Sequence, residues 1–277
     1  MVKIFDAHCH FGKFGVQHFK GHDVEIFKDR ELATAEDMER YMSKNNIMKV
    51  VAVPHYTPDL ETPFKEYNPL ILDTLDKING FYGGLWINPA KPELTKEVLK
   101  LFNHPKLVAF KISPANWPQN ITADPKTWPE KFKESMESVI DFAKQEKIVI
   151  QAHTGHGTST IFEYEKFIEK HGNELKIQFL HMGGSCAGHI AFVPRFIKFI
   201  ERGYDVYCDI SSSKGMGLPF LLKELMEKCV EGLDRVFFAT DEPWGVFESE
   251  FALVNSLDVS GRIKRKILFD NANRVYS

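Results

Sequence analysis

The sequence predicts an α/β protein that folds as one (β/α)8 TIM barrel, a single domain over residues 1–277. Eight short apolar runs alternate with helix-like segments along the whole chain. The length of 277 residues also fits, because such barrels typically have about 250 residues. The alternative is an open doubly wound sheet, but the first βα turn, HCHFGKFG, lacks the glycine fingerprint of that fold.

Eight strands are predicted from near-continuous apolar runs, which are typical of parallel strands covered on both faces. They span residues 2–8, 49–55, 80–88, 107–113, 147–153, 176–182, 204–210 and 235–241. Helical periodicity fills the intervals, with Thr34 as the predicted N-cap of the first helix and Asn68 as that of the second. Long loops follow the first two strands, and both would overhang the end of the barrel where active sites lie.

Charge and composition narrow the classes of function. A net charge of −3 and a pI near 6.4 argue against a nucleic-acid-binding or acidic-membrane-binding protein. No apolar run reaches membrane-spanning length, and the first strand begins too early to leave room for a signal peptide. The four cysteines are scattered, without a C-x-x-C pair. We therefore expect a reduced, cytoplasmic protein that acts on a small molecule, with a homodimer as an open alternative to a monomer.

A polar residue that can bind a metal or a polar substrate closes every predicted strand. These strand-end residues are His8 and His10, His55, Asn88, Lys111, His153, His181, Asp209 and Asp241. In a barrel the carboxyl ends of all strands meet at one face, so these side chains should surround one site. Buried polar groups are costly unless they have partners, and a metal ion is the partner that explains most of them at once.

The first strand carries His8 and His10 with one residue between them. Alternate residues of a strand share a face, and roughly 6–7 Å between their backbones lets two imidazoles reach one ion. We expect these two histidines, His153 and Asp241 to hold one divalent cation, zinc or a similar metal, with a coordination position left open for water.

Some strand-end residues have simpler explanations. His55 and Asn88 are each close to a proline and could belong to turns. Asp241 could cap the segment that follows it, and Asp209 could cap a helix or orient a histidine ligand.

Motifs on four of the predicted strands and the C-terminal segment resemble the amidohydrolase superfamily, in its amidohydrolase-related branch. They are DAHCH on the first strand, QAHTGH on the fifth, LHMGG on the sixth, ATDEPW on the eighth, and the closing ILFDNANRVYS. The resemblance covers the whole chain. It implies a metal-dependent enzyme in which His8, His10 and His153 bind the metal, Asp241 lies on or beside it, and His181 is catalytic.

The chemistry of these residues agrees with the resemblance. A bound zinc ion lowers the pKa of its water to about 7, Asp241 can transfer the proton, and His181 can polarise a carbonyl. We expect a hydrolase of a small carboxylate-bearing amide, ester or lactone. The branch also includes non-oxidative decarboxylases (lyases) of aromatic or dienyl carboxylic acids, which are the alternative. A deoxyribonuclease-like barrel, which expects a glutamate in place of Lys111, and a non-catalytic metal-binding barrel fit less well.

Lys111 has two interpretations under the resemblance. Binuclear members of the superfamily carry a carbamylated lysine near this point, whereas in much of the branch a basic residue there resembles a substrate contact. We expect one metal ion and a substrate role for Lys111, with His55 and Asp209 as further substrate or second-metal candidates. Loop residues that would suit an aromatic or dienyl carboxylate are Phe11, Phe14, His18, Tyr56 and Arg195.

Overall fold

The computed structural model describes residues 2–14, 27, 30–55, 61–213 and 215–277, together with the backbone of 17–19 and 22–24. Eight parallel strands form one sheet in chain order. They are β1 (Ile4–Phe11), β2 (Ile47–Pro54), β3 (Phe81–Trp86), β4 (Leu107–Ile112), β5 (Val149–His153), β6 (Lys176–Leu180), β7 (Asp205–Asp209) and β8 (Val236–Phe237). The predicted single-domain (β/α)8 barrel is therefore confirmed.

Backbone hydrogen bonds between β1 and the segment after β8 join the two ends of the sheet. Ala7 N–H donates to Phe238 O at 2.9 Å, and His10 N–H donates to Glu242 O at 2.8 Å. The strand predicted over 235–241 pairs with β7 only at Val236 and Phe237. Beyond that point the chain bonds to β1 instead, and Thr240 N–H donates to the Asp6 side chain.

Helices pack around the outside of the barrel, and the last of them packs against its amino-terminal end. They are α1 (Ala35–Lys44), α2 (Asn68–Thr74), α3 (Pro92–Lys100), α4 (Glu130–Glu146), α5 (Ile161–His171), α6 (Cys186–Glu201), α7 (Gly217–Lys228), α8 (Phe247–Ser256), α9 (Gly261–Arg265) and α10 (Asn271–Tyr276). Thr34 caps α1 through a reciprocal capping box with Asp37, as the sequence predicts. No described helix is both long and apolar enough to cross a membrane.

Two local features differ from the prediction. Asn68 does not cap its helix, because a π-helical turn, Pro63–Tyr67, precedes α2. Its side chain instead accepts a hydrogen bond from Trp86 N–H of β3 at 2.8 Å. The long first loop also contains an antiparallel hairpin, Gln17–Phe19 with His22–Val24, that the apolar pattern does not predict.

A β-bulge in β1 sets the direction of the histidines. Asp6 pairs with Val50, but Cys9 pairs with Ala52, so two residues of β1 oppose one residue of β2. The bulge lets Phe5 and Ala7 pack inside the lower barrel while His8 and His10 also point inward, nearer the mouth. Asp6 supports the bulge by accepting hydrogen bonds from His8 N–H and from Thr240, and burial raises the pKa of this carboxyl to about 7.

The C-terminal segment closes the amino-terminal end of the barrel. A second π-helical turn, Lys266–Asp270, leads into α10, and the rings of Phe269 and Tyr276 lie 6.3 and 6.1 Å from that of Phe5. A larger apolar core fills the space between the barrel and the helices around it. The opposite end of the barrel opens onto the cavity that the strand-end residues line.

Candidate active site

The carboxyl ends of the strands surround a cavity of about 550 Å³. Six of the predicted strand-end residues line it: His10, His55, Lys111, His153, His181 and Asp241. His8 lies fully buried behind His10 and Asp241. A groove of similar volume, about 540 Å³, lies between α1 and the loop after β8, but no strand-end residue lines it. The chemistry that the sequence predicts is therefore concentrated at the barrel mouth.

Asp241 is the centre of the polar cluster. Its Oδ1 lies 3.3 Å from His8 Nε2 and 3.1 Å from His10 Nε2, and its Oδ2 lies 3.9 Å from His181 Nδ1. Burial alone would raise the pKa of Asp241, but the surrounding imidazoles of His181, His10 and His8 hold this pKa well below its usual value. Asp241 is thus an ionised carboxylate against three imidazoles.

The cluster has the properties of a cation site. His8, His181 and Asp241 each offer one ligand atom, and these atoms all lie within 4.8 Å of one another. His8 Nε2 and Asp241 Oδ1 are buried and, among the described residues, make no hydrogen bond of acceptable geometry. Burial lowers the pKa of His8 and of His181, which favours neutral imidazole, the form that binds a metal. The donor set fits a divalent cation.

The predicted ligands lie at different depths. His10 contacts the same carboxylate oxygen as His8, with its Nδ1 3.3 Å from Pro54 O. His153 is partly exposed, and its ring centroid lies 5.0 Å from that of His181. The compact group therefore contains His181, which the resemblance assigns to catalysis. The set of His8, His10, His153 and Asp241 stays a prediction.

An unusual backbone turn presents His181 to the mouth. Four consecutive residues have positive φ: 66° at His181, 46° at Met182, 88° at Gly183 and 67° at Gly184. Gly184 N–H donates to His181 O at 2.8 Å, which makes a left-handed turn. The non-glycine residues in it each cost about 1–2 kcal/mol. Asp241 also has a positive φ, 58°. Such strain often clusters at functional sites.

Thr154, directly after β5, holds this turn against the barrel. Its hydroxyl accepts from Gly183 N–H at 2.7 Å and donates to Leu180 O. The turn is therefore anchored to the neighbouring strand end rather than left to its own conformational preferences.

Lys111 is a buried cation facing the same cavity. Only 2% of the residue is exposed, and its Nζ has no hydrogen-bond partner in the described part of the chain. Burial lowers the pKa of its ammonium group to about 8, while the charges of Asp241 and Asp209 oppose this shift. An unpaired buried ammonium group is costly, so this position favours an anionic partner.

Aromatic rings form one wall of the mouth. Phe14 stacks on His55, and the Trp244 ring, 49% exposed as a residue, lies 5.9 Å from that of His55. Burial holds the pKa of His55 well below its usual value, so this ring is neutral. His55 therefore belongs to this wall as well as to the cavity.

Other residues named from the sequence lie elsewhere. Phe11 packs against Phe81 in the outer core, and Arg195 pairs with Glu165 on the outer helices, so neither lines the mouth. The Asn88 side chain accepts a hydrogen bond from Ala90 N–H at 3.1 Å. This is the turn geometry that its neighbouring proline suggests. The side chain of His18 and the whole of Tyr56 lie outside the described residues.

Asp209 lies beneath the cavity instead of lining it. It is fully buried and accepts hydrogen bonds from His181 N–H at 3.2 Å, from Gln178 Nε2 at 2.8 Å and from Ser211. Ser211 in turn bonds His181 Nδ1 at 2.8 Å, and Gln151 bonds His8 Nδ1 at 3.0 Å. The strand-end pattern does not single out these two glutamines or Ser211. The available signal was a glutamine inside each of two apolar runs, KIVIQAH and KIQFLHM.

Comparisons with known proteins agree with this architecture. A solved structure of 2,6-dihydroxybenzoate decarboxylase from Rhizobium matches with a TM-score of 0.72 at 12% identity, over 99% of this chain and 98% of that chain. A 5-carboxyvanillate decarboxylase from Novosphingobium aromaticivorans, complexed with manganese, matches with 0.67 at 15% identity, over 99% and 96%. A structure from Acinetobacter baumannii, described as a probable 2-pyrone-4,6-dicarboxylic acid hydrolase, also matches with 0.67 at 12% identity, over 99% and 98%.

At these identities the structural matches establish the fold. The search of curated proteins found no similar sequence. A family model described as amidohydrolase matches residues 5–277, which is nearly the whole chain. The chain therefore belongs to the amidohydrolase family, and it is an enzyme of that family, as its sequence motifs predict.

Proposed function

We propose that this protein is a metal-dependent hydrolase of a small amide, ester or lactone that carries a carboxylate. The observation that carries the proposal is the contact of one ionised carboxylate, Asp241, with His8, His10 and His181 at the mouth of the barrel. The unpaired ammonium group of Lys111 faces the same cavity and supports an anionic substrate.

The proposed cofactor is one divalent cation, with zinc as the first candidate. His8, His10, His153 and Asp241 would hold it, and His181 lies within reach of the same position. When bound, the cation acts as a Lewis acid that polarises the substrate carbonyl and activates a water molecule.

The side chains around the cation then divide the proton transfers. Asp241, whose pKa is held low, can take a proton from water and return it to the leaving group. His181 lies across the carboxylate from His8 and His10, where its ring can orient or polarise the substrate. Lys111 would bind the substrate carboxylate through a charge-assisted hydrogen bond.

Decarboxylation of an aromatic or dienyl carboxylic acid is the second candidate. The wall of Phe14, His55 and Trp244 favours it, because flat aromatic surfaces stack well on a planar substrate. Two of the structural matches above are decarboxylases of aromatic acids according to their descriptions. In this reaction Lys111 or the cation would bind the carboxylate or a ring substituent.

Metal analysis followed by a substrate panel tests the proposal. The purified protein should contain about one divalent ion per chain, and a panel of lactones, amides, esters and aromatic carboxylic acids should reveal turnover. Released CO₂ would identify a decarboxylase, whereas a new carboxylate without CO₂ would identify a hydrolase. His181→Asn should lower kcat about 100-fold or more with any substrate found. Full activity in metal-free protein would refute the proposal.

A further inference from the structure

A chain of buried polar side chains runs through the barrel interior below the cavity. It connects the C-terminal helix α10 with two histidines of the site. Its members are Gln151 of β5, Gln178 of β6, Asp209 of β7, Ser211 just after β7, and Tyr276 of α10. Each of these residues is at most 3% exposed. Interior polar groups at this depth are unusual in a barrel core, so their hydrogen bonds need an explanation.

The orientation of Gln151 determines which nitrogen of His8 carries hydrogen. Gln151 Nε2 donates to the backbone carbonyl of Ala7 at 2.9 Å, and a carbonyl can only accept. The amide oxygen therefore faces His8 Nδ1, at 3.0 Å. Because that oxygen can also only accept, His8 Nδ1 must be the donor. His8 Nε2 is then left with a free lone pair, 3.3 Å from Asp241.

Gln178 and Asp209 determine the direction of the hydrogen bond at His181 in the same way. Gln178 Nε2 donates to Asp209 Oδ2 at 2.8 Å, and Ser211 Oγ donates to Asp209 Oδ1 at 2.5 Å. The Ser211 hydroxyl has thereby used its only hydrogen, so it accepts from His181 Nδ1 at 2.8 Å. His181 is consequently in the same Nδ1–H form as His8.

Tyr276 links the two glutamines from below. Its hydroxyl donates to Gln178 Oε1 and accepts from Gln151 Nε2 at 3.1 Å. Gln151 Nε2 also lies 3.3 Å from Gln178 Oε1. Removing this hydroxyl leaves both amides with fewer partners and freer to rotate.

We propose that Gln151, Gln178 and Tyr276 are positioning residues that hold His8 and His181 in the Nδ1–H tautomer. A histidine side chain in water prefers hydrogen on Nε2, so the network would impose the less common tautomer. The consequence is an unprotonated Nε2 on both histidines, available to a cation or a substrate proton. The relevance for cation binding rests on the proposed function, whereas the tautomer itself can be measured without metal.

The first test is NMR of metal-free protein labelled with ¹⁵N-histidine, at a pH where both rings are neutral. Signals are assigned with His8→Ala and His181→Ala variants. Wild-type protein should show hydrogen on Nδ1 of both rings. Gln151→Met should shift His8 toward the Nε2–H form, and Tyr276→Phe should give a mixture. Tyr207→Phe is the matched control, because Tyr207 belongs to the same interior apolar cluster as Tyr276 but is not a member of this hydrogen-bonded network.

The second test measures zinc affinity by competition with a chelator. Loss of a residue that hydrogen-bonds a ligand histidine typically weakens metal binding about 10- to 100-fold, which we expect for Gln151→Met. Tyr276→Phe should weaken it about 2- to 10-fold, as for loss of one hydrogen bond. Tyr207→Phe should stay within about twofold of wild type.

The two tests separate this inference from the proposed function. If both histidines are in the Nδ1–H form in wild-type protein and Tyr276→Phe disturbs that form, the positioning role is supported even if zinc fails to bind. Zinc binding with Nε2–H histidines in wild-type protein would overturn the inference while leaving the metal centre in place. Unchanged tautomers in Tyr276→Phe and Gln151→Met would also overturn it. Tyr276→Phe keeps the ring, so this test does not depend on Gln151→Met folding.

Discussion

The backbone N–H of Asp241 donates to the carbonyl oxygen of His8 at 2.9 Å, and the side chains of the same two residues meet at 3.3 Å. The first strand and the end of the last strand are therefore joined where the candidate site lies. Across this seam the described residues share three backbone hydrogen bonds: Ala7 N–H to Phe238 O, His10 N–H to Glu242 O, and Asp241 N–H to His8 O. A cation held by both side chains would cross-link the two ends of the barrel.

Metal binding should therefore stabilise the fold. Zinc at 100 times its Kd should add about 2.7 kcal/mol to the free energy of unfolding, if it binds only the native state. For a domain of this size we expect a rise in Tm of about 5 °C, measured by differential scanning fluorimetry with and without chelator. His8→Ala should lose the shift, and His104→Ala, on the outer surface, should keep it. An equal Tm with and without chelator would contradict the prediction.

Lys111→Met should separate substrate binding from metal binding. If the ammonium group binds a substrate carboxylate, its loss should raise KM about 10- to 100-fold while the metal content stays near one ion per chain. Lys100→Met, at an exposed position on α3, is the control. If Lys111 is instead carbamylated, the metal content should fall from about two ions to one or none, and bicarbonate should help to reconstitute the metal-free wild-type protein.

The strand order and the location of the site could be predicted because both depend on short-range patterns. Apolar runs of seven to nine residues mark the strands, and most of the polar residues that end them lie at the barrel mouth, where the carboxyl ends of parallel strands meet. His181 and Asp241 illustrate this, since each was placed by its strand end alone. Their contact with one another follows from barrel closure, which the strand count implies.

The supporting interactions could not be predicted because their partners are far apart in sequence. Asp6 stabilises the β1 bulge through Thr240, 234 positions away, and Gln151 meets His8 across 143 positions. A glutamine within an apolar run shows only that a buried polar partner must exist. The sequence alone does not indicate which residue supplies it, because a single sequence offers no covariation.

His171 should make stability depend on pH in mildly acidic solution. Burial lowers the pKa of its imidazole to about 4, with the ring stacked on Trp128 at 5.8 Å. Below about pH 6.5 the unfolded chain binds a proton at this residue that the folded protein does not, so stability falls as pH drops toward 4. His171→Phe removes this titration and retains a ring against Trp128.

The stability of His171→Phe relative to wild type should therefore increase steadily from pH 7 to pH 4, measured by urea denaturation. At pH 8 His171 is uncharged in both states, so the difference measured there reports packing alone. A difference that does not change with pH would mean that His171 does not titrate as its burial implies.

The left-handed turn that carries His181 should be sensitive to substitution at Gly183. Gly183 and Gly203 have similar positive φ, 88° and 81°, so an alanine at either position costs about 1 kcal/mol from the backbone conformation. Their surroundings differ. A Cβ at Gly183 would lie 2.7 Å from the backbone of Gly188 in α6, whereas a Cβ at Gly203 would meet no atom within 4 Å.

Gly183→Ala should therefore cost about 2–4 kcal/mol of unfolding free energy, against about 1 kcal/mol for Gly203→Ala, as measured by urea denaturation. Because the clash pushes the turn away from α6, it should also displace His181 and lower kcat at least tenfold. Gly203→Ala, at the far end of α6, should keep wild-type kcat. Equal stability losses in the two variants, with kcat unchanged in both, would show that the turn can relax without moving His181.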